Sequence, residues 1–484
     1  MTWDPALETA FHPKVVAMVG ISSNAQPGRQ RGPGGANFIV SYEQLGFKGH
    51  IHPVNPKATE IMGRKAYPNV ASIPEPVDLV IVSVPAQALP GVLEDCIVAN
   101  AKNIHVFTAG FEETGEAERI ELGRRVREIA ERGGLRIIGP NCMGLYIPES
   151  GVGSFDRLPK ESGPVAFISQ SGGHLNWFSH YGHNYGIRFS KAISFGNAYV
   201  IDSTDYLEYF ATDPETGIIC MYLEGVKDGR KLVQQVQTIN RVKPVILWKA
   251  GLTEDGTRAV ASHTASLAGQ EGIWRGFFAQ TGAVPVQSLE EMAEAAMTFL
   301  YVKQPAGKRV AVIGLGGGTS VASADVCNRE GLDVPALTGE TQAELKKFIP
   351  IAGSSVRNPL DTGLVFRDIN DLQREVELVT ADPNIDMLIM RPHLDMVSAG
   401  ADDADRVIDY LIDICRNNPH GKPVVLVFHS FSNDPQEFEL RSRLQKELPG
   451  QGIPVYHSLE AASRALFRLY GYHHFQKAQI EENL

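Results

Sequence analysis

"KVVAMVGI" (14–21) is the stretch on which the fold turns. Apolar residues run unbroken from Val15 to Val19 and stop at Gly20, the pattern of a parallel strand buried on both faces. Runs of the same kind return at "VDLVIVSVP" (77–85), "NIHVFTAG" (103–110) and "LRIIGPN" (135–141). The segments between them read as helices. "EAERIELGRRVREIAERGG" (116–134) sets Ile120, Val126 and Ile129 on one buried stripe and stops at a glycine pair. Residues 1–147 therefore read as one doubly wound β/α domain.

The pattern repeats twice more. A second series holds "VAFISQSGG" (165–173), "IRFSKAISFG" (187–196), "GIICMYLEG" (217–225) and "PVILWKAG" (244–251), giving a domain over 148–302. "KQPAGK" (303–308) reads as a linker. A third series, "RVAVIGLGGG" (309–318), "DMLIMRP" (386–392), "PVVLVFH" (423–429) and "IPVYHS" (453–458), fills 307–484. The fold class is α/β, with three doubly wound domains.

Composition narrows the function. Across 484 residues, 45 Lys and Arg stand against 56 Asp and Glu, a net charge of −11 with no basic stripe, so nothing supports nucleic-acid binding. Five scattered cysteines without a C-x-x-C pair read as reduced thiols. "MTWDPALETAFHPK" lacks the basic and apolar regions of a leader, and no apolar run is long enough to span a membrane. The expected compartment is the cytoplasm.

Ligands of open parallel sheets bind at strand carboxyl ends, where helix N-termini offer free N–H groups and a positive dipole end. Three glycine-rich turns occupy such places. The first, "VGISSNAQPGRQRGPGGANF" (19–38), breaks the G-x-G-x-x-G dinucleotide pattern after Gly20, which counts against a nicotinamide-dependent dehydrogenase. Arg29 and Arg31 could clamp phosphates there, or simply decorate a solvated turn. The second, "ISQSGGHLNWF", carries Ser169, Ser171, Gly172 and Gly173 into a helix and is not a G-x-S-x-G elbow. The third, "IGLGGGTSVASAD", places Gly316, Gly317, Gly318 and Thr319 at a helix start.

"VASHTASLAG" (260–269) surrounds His263 with small residues. No sequence-local Cys or acid makes it a zinc or hydrolase motif, so it is either a chance histidine in a surface loop or a nucleophile taking a phosphoryl group. In the second case a carboxylate must hold the other ring nitrogen, and Glu224, ending the strand "MYLEG", is the best-placed acid. The remaining histidines carry no metal motif: His50 and His52 alternate on a strand, His180 and His183 share a helix, and His473 and His474 form a polar pair. No metal site is expected.

Taken together, "FHPKVVAMVGIS", "GFKGHIHPVNPKATEIMGRKAYPNV", "TAGFEETGE", "IIGPNCMGLY", "ISQSGG", "YLEGVKDGR", "KPVILWKAG", "SHTASLAG" and "NPLDTG" resemble, in order, the α subunit of the NDP-forming acyl-CoA synthetases, the ADP-forming acetyl-CoA synthetase group related to succinyl-CoA synthetase. The resemblance covers about residues 8–470. It implies a Rossmann-like CoA-binding domain followed by two flavodoxin-like ligase domains. His263 falls at the phosphohistidine and Glu224 at the acid that orients it. The turns at Ser169–Gly173 and Gly316–Ser320 fall at the two helix N-termini that meet the phosphoryl group. Gly20, Ser22, Pro56, Lys57, Val84 and Pro85 fall where CoA is held, and Arg29, in a loop longer than the family's usual turn, is added to them as a phosphate contact.

The implied reaction interconverts acyl-CoA, phosphate and ADP with acid, CoA and ATP through an acyl phosphate and phospho-His263. No ATP-grasp module is legible, so ADP or ATP with Mg2+ is expected on a separate β subunit in an α2β2-type hetero-oligomer. Ala265 stands where the family more often has Gly, and Leu252 where it often has Arg; neither removes a reacting atom. The alternative is a CoA-binding regulatory protein of the same fold with reduced turnover.

Overall fold

The computed structural model describes residues 5–22, 35–264, 270–314, 316–350, 352–392, 394, 404–428 and 434–482, with only the backbone described at 5, 6, 261–264, 364, 367, 404, 436 and 482. Three parallel sheets carry the chain. The first contains β1 (Val15–Val19), β2 (His50–Val54), β3 (Leu79–Val82), β4 (Asn103–Val106) and β5 (Arg136–Ile138), in the order β2-β1-β3-β4-β5. The second contains β6 (Gly144–Tyr146), β7 (Ser162–Ser169), β8 (Phe189–Ser194), β9 (Ile218–Leu223), β10 (Val245–Lys249) and β11 (Val284–Val286). Its order is β11-β10-β9-β7-β8-β6, with β6 antiparallel at the edge. The third contains β12 (Val310–Gly314), β13 (Leu360–Asp361), β14 (Met387–Met390), β15 (Val424–Val427) and β16 (Val455–Tyr456), in the order β13-β12-β14-β15-β16.

Leaving β6 aside, every sheet has the sequential order 2-1-3-4-5. The first sheet is therefore doubly wound as expected, but its order is the one shared by flavodoxin-like sheets. In each, the order reverses between the first and third strands, which pair directly as β1 with β3, β7 with β9 and β12 with β14. The unbroken apolar runs are buried on both faces: every residue of β1, β3, β9, β12, β14 and β15 is buried.

The chain gathers into two compact units, residues 1–181 with 188–289 and residues 182–187 with 290–484. In the first, Val16, Met18, Leu79 and Ile81 of the first sheet share one apolar cluster with Ile168, Ile193, Ile219 and Met221 of the second. The other face of the first sheet, Val80, Val82 and Ile104, packs on Leu93 and Val126. In the second unit, Ile313, Leu388 and Leu426 face Val376 and Leu411, while Val312, Ile389 and Val427 face Leu466. Alternate residues along one strand thus feed opposite cores.

Three local expectations change. The helix Leu289–Tyr301 belongs with the second unit, ahead of the limit read at 302, because Met297 packs with Val310 and Val312 and Glu291 pairs with Arg468 at 2.6 Å. Strand β6 joins the second sheet although it precedes the limit read at 147. Ile120 is 45% exposed; in the helix Ala117–Gly133 the buried stripe is Gly123, Val126, Ile129 and Ala130, where only a glycine fits beside Tyr199. Cys96, Cys142, Cys220 and Cys327 are buried and Cys415 is half-buried, all as free thiols. No described helix is long and apolar enough to cross a membrane.

Candidate active site

The second sheet reverses its strand order between β7 and β9, and the residues just beyond those strands meet. Gln170 is buried. Its side-chain oxygen accepts from the backbone N–H groups of Glu224 at 2.8 Å and Gly225 at 3.0 Å, while its own N–H donates to the Tyr222 carbonyl at 3.0 Å. One carboxamide therefore locks the two strand ends together. Ser169 donates its hydroxyl to the Ser171 carbonyl at 2.7 Å, and the Ser171 hydroxyl accepts from the N–H of His174 at 3.3 Å as the helix Gly172–Tyr181 begins. Gly172 is required by closeness, since a Cβ there would strike the side chain of Met143.

Glu224 is 4% exposed. The Tyr222 hydroxyl donates to its Oε1 at 3.2 Å, and the Lys249 ammonium donates to its backbone carbonyl at 2.8 Å and to that of Ala250. Lys249 is itself buried and stands over the Trp274 ring, 5.3 Å from the centroid. Burial pulls its pKa down to about 8, against the opposing pull of Glu224. The His174 ring centroid lies 4.2 Å from that of Tyr222 and 5.0 Å from that of Trp248. Burial lowers its pKa against the charge of Glu224, which favours the neutral imidazole. Beside this group lies a cleft of about 1100 Å³, bordered by Lys227, Arg230, Lys249, Trp274 and Phe277.

The backbone of His263 lies in the last turn of the helix Glu254–Thr264; its side chain is outside the described residues. That helix rests against Glu112–Thr114 at the end of the first sheet. There Glu113 accepts from the N–H groups of Gly110 at 2.7 Å and Phe111 at 3.1 Å, and from the Asn197 amide at 2.8 Å. Burial works to raise the Glu113 pKa, but these bonds together outweigh it and the net shift is downward, which keeps the carboxylate ionised. Lys227 donates to the Ala198 carbonyl, so the turn after Glu224 is tied to the same loops.

In the first sheet the reversal lies between β1 and β3. Gly20 has φ +93°, and a Cβ on it would run into the Ser83 carbonyl and come within 2.8 Å of Val84 Cγ1. Asn55 donates its amide to the Ile21 carbonyl at 2.8 Å and accepts from the Lys57 N–H at 2.8 Å. Thr108 accepts from the N–H of Val84 at 3.3 Å and donates to its carbonyl at 2.8 Å. Gly20, Ser22, Pro56, Lys57, Val84 and Pro85 thus gather at the carboxyl ends of three adjacent strands, with Ser22, Pro56, Lys57 and Pro85 exposed. Arg29 lies outside the described residues.

In the third sheet, Gly316 has φ +91° and leads into the helix Gly317–Arg329. Its N–H donates to Asp361 Oδ1 at 2.6 Å. The first amide of this turn is therefore engaged by the chain's own carboxylate, and Gly317, Gly318 and Thr319 open the helix beyond it. Arg391, after β14, donates to the Ser323 hydroxyl at 2.8 Å and borders a cavity of about 360 Å³ with Gly318, Thr319 and Glu460. Asp361, Arg391, Gln170, Lys249 and His174 did not stand out in the sequence. Each acts through a contact that strand register creates.

Comparison with known proteins agrees with this architecture. A CoA binding domain matches residues 14–148, and a succinyl-CoA ligase like flavodoxin domain matches residues 162–299. The chain is 35% identical over 463 residues to the α subunit of acetate–CoA ligase (ADP-forming) II of Pyrococcus furiosus, covering 96% of this chain and 97% of that one. It is 37% identical over 384 residues to acetate–CoA ligase (ADP-forming) I of Archaeoglobus fulgidus, covering 79% of this chain but 54% of that protein, so it spans about half that relative's length. Among solved structures, a dinucleotide-forming acetyl-coenzyme A synthetase 1 from Candidatus Korarchaeum cryptofilum, in complex with phosphate and ADP, superposes with a TM-score of 0.82 at 32% identity over 98% of both chains. This chain belongs to the family of ADP-forming acetate–CoA ligases.

Proposed function

We propose that this chain is the CoA-handling and histidine-carrying part of an ADP-forming acyl-CoA synthetase. The observation that carries the reading is the buried Glu224 at the reversal point of the second sheet. It is fixed by Gln170, Tyr222 and Lys249 beside the helix N-terminus at Ser169–Gly173, in the unit that also holds the helix of His263. CoA is held at Gly20, Ser22, Pro56, Lys57, Val84 and Pro85, with Arg29 reaching a phosphate. Phosphate displaces CoA from the acyl-CoA to give an acyl phosphate. His263 takes the phosphoryl group and releases the acid, with Glu224 holding the proton on the other ring nitrogen. The N–H groups at Ser171, Gly172 and Gly173, presented by the strand end at Ser169, stabilise the charge on the transferring oxygens.

Phospho-His263 then passes its group to ADP. We place ADP and Mg2+ on a separate ATP-grasp β subunit in an α2β2-type assembly in the cytoplasm. Of the third turn, Gly317, Gly318 and Thr319 serve as the phosphate-binding helix start, while the Gly316 N–H is held by Asp361 and shapes that turn. Three functional domains follow the three sheets, with β6 counted to the second and the helix Leu289–Tyr301 to the third.

The test is labelling. Incubation with acetyl-CoA and radiolabelled phosphate, or with γ-labelled ATP and a β subunit, should give one acid-labile, base-stable phosphoryl group per chain. The label should disappear in His263→Ala and fall strongly in Glu224→Gln. An equal label in His263→Ala would overturn the assignment. CoA binding without any label would favour the regulatory reading.

A further inference from the structure

Strand β2 is the outer edge of the first sheet, and it begins His50-Ile51-His52. Residues two apart on a strand share a face, so both imidazoles project to the same side. There they meet Glu75, from the segment that leads into β3. His50 Nδ1 lies 2.8 and 3.0 Å from the two carboxylate oxygens, and His52 Nε2 lies 2.7 Å from Oε1. All three donor groups present an atom within 4.8 Å of the others.

We propose that His50, His52 and Glu75 form a binding site for a borderline divalent transition-metal ion, with Zn2+ as the reference. Two imidazoles and one carboxylate match its ligand preference, each bond being about 2.0–2.2 Å. Donors around such an ion stand slightly farther apart than these hydrogen-bonded atoms, so the carboxylate must open by about half an ångström, within the reach of a glutamate side chain. The His50 side chain is 68% exposed and the cluster opens into a groove of about 610 Å³, which leaves room for water to complete the coordination. His52 is held edge-on against Tyr67, 5.3 Å between centroids, so one ligand is already oriented.

A second cluster, Glu290, Glu294 and His457, is a poorer site, because the Arg464 guanidinium lies 3.6 Å from Glu294 and supplies the positive charge a metal would bring. Among the described residues, Glu75 is ion-paired only to the two imidazoles. The proposed site is separate from that for CoA: His50 starts β2, and Lys57 lies beyond its end. Its occupant would staple the edge strand to the segment before β3, a stabilising role that does not depend on turnover.

The test uses the full chain stripped with a chelator and titrated with Zn2+ against a chromophoric competitor. One ion per chain should bind at micromolar concentration with a rise in Tm, and Co2+ should give visible ligand-field bands. His50→Ala, His52→Ala and Glu75→Gln should each weaken binding by about tenfold or more, while His457→Ala leaves it unchanged. His50→Ala removes an exposed ring and keeps the test valid if His52→Ala misfolds. The absence of uptake by the wild type, or equal uptake by His50→Ala and Glu75→Gln, would overturn the proposal.

Discussion

Two residues set the conditions for the rest of the site. At Gly20, φ of +93° and the adjacent Ser83 carbonyl leave no room for a Cβ. In Gly20→Ala the backbone strain alone costs about 1–3 kcal/mol, and relief requires β1 and β3 to part where CoA is proposed to sit. The expected result is a lower Tm that added CoA no longer raises, measured by thermal unfolding with and without CoA. Lys249 works differently. It donates to the buried carbonyl of Glu224, so Lys249→Met removes that bond at a cost of about 1–3 kcal/mol and frees the acid to shift. Acyl-CoA synthesis with a β subunit should fall about tenfold or more while CoA affinity holds, as a loss of about 1.4 kcal/mol at the transition state implies. Because Lys249 loses its proton near pH 8, the wild type should lose activity above that pH, and the Met variant should lack this limb.

At the scale of elements, the long strands were legible because four to eight apolar residues bounded by glycine or proline have few other uses. The strands β6, β11 and β13 were not: each has two or three residues and, unlike the equally short β5 and β16, none stands out as an apolar run in the sequence. The loss matters at β13, which delivers Asp361 to Gly316 and is followed by Thr362. The same limit explains the site. Glu224 could be found because it ends a readable strand, whereas Gln170 and Lys249 matter through the carbonyls and amides that register brings to them. Glu75 joined His50 and His52 only once the sheet was built.

The turn after β13 also donates the Thr362 hydroxyl to Glu375, a fully buried residue of the helix Ile369–Ala381. Burial pushes the Glu375 pKa up to about 8, with Asp371 adding to the rise and Thr362 opposing it. The folded chain then keeps this proton after the unfolded chain has lost it. Stability from this group is full below the ordinary carboxylate pKa, declines as pH rises, and is flat above about 8. The loss is on the order of 3 kcal/mol between pH 5.5 and 8. Urea unfolding followed by hydrogen exchange in residues 290–484 should show that decline in the wild type. Glu375→Gln should remove most of it, leaving a smaller slope from Glu294, whose pKa burial raises to about 7.

At the scale of the whole molecule, the described strands are spent on three sheets of one topology, apart from a small hairpin, Glu60–Ile61 with Arg64–Lys65, and the antiparallel edge strand β6. Each sheet offers one reversal point, and those three points carry the Gly20 turn, the Glu224 turn and the Gly316 turn. The chain spans 97% of the Pyrococcus furiosus α subunit but 54% of the Archaeoglobus fulgidus enzyme. If the nucleotide is handled by a partner, the two halves of the reaction must separate in the test tube. The purified chain given acetyl-CoA and phosphate should release free CoA in a single turnover, about one equivalent per chain, and stop at phospho-His263 because nothing removes the phosphoryl group. Adding ADP and Mg2+ alone should leave the label in place. Adding a β subunit as well should discharge it into ATP and restore continuous CoA release, followed by thiol titration and luciferase assay. Steady ATP formation by the chain alone would show that the nucleotide site is within it, and the partner would then be unnecessary.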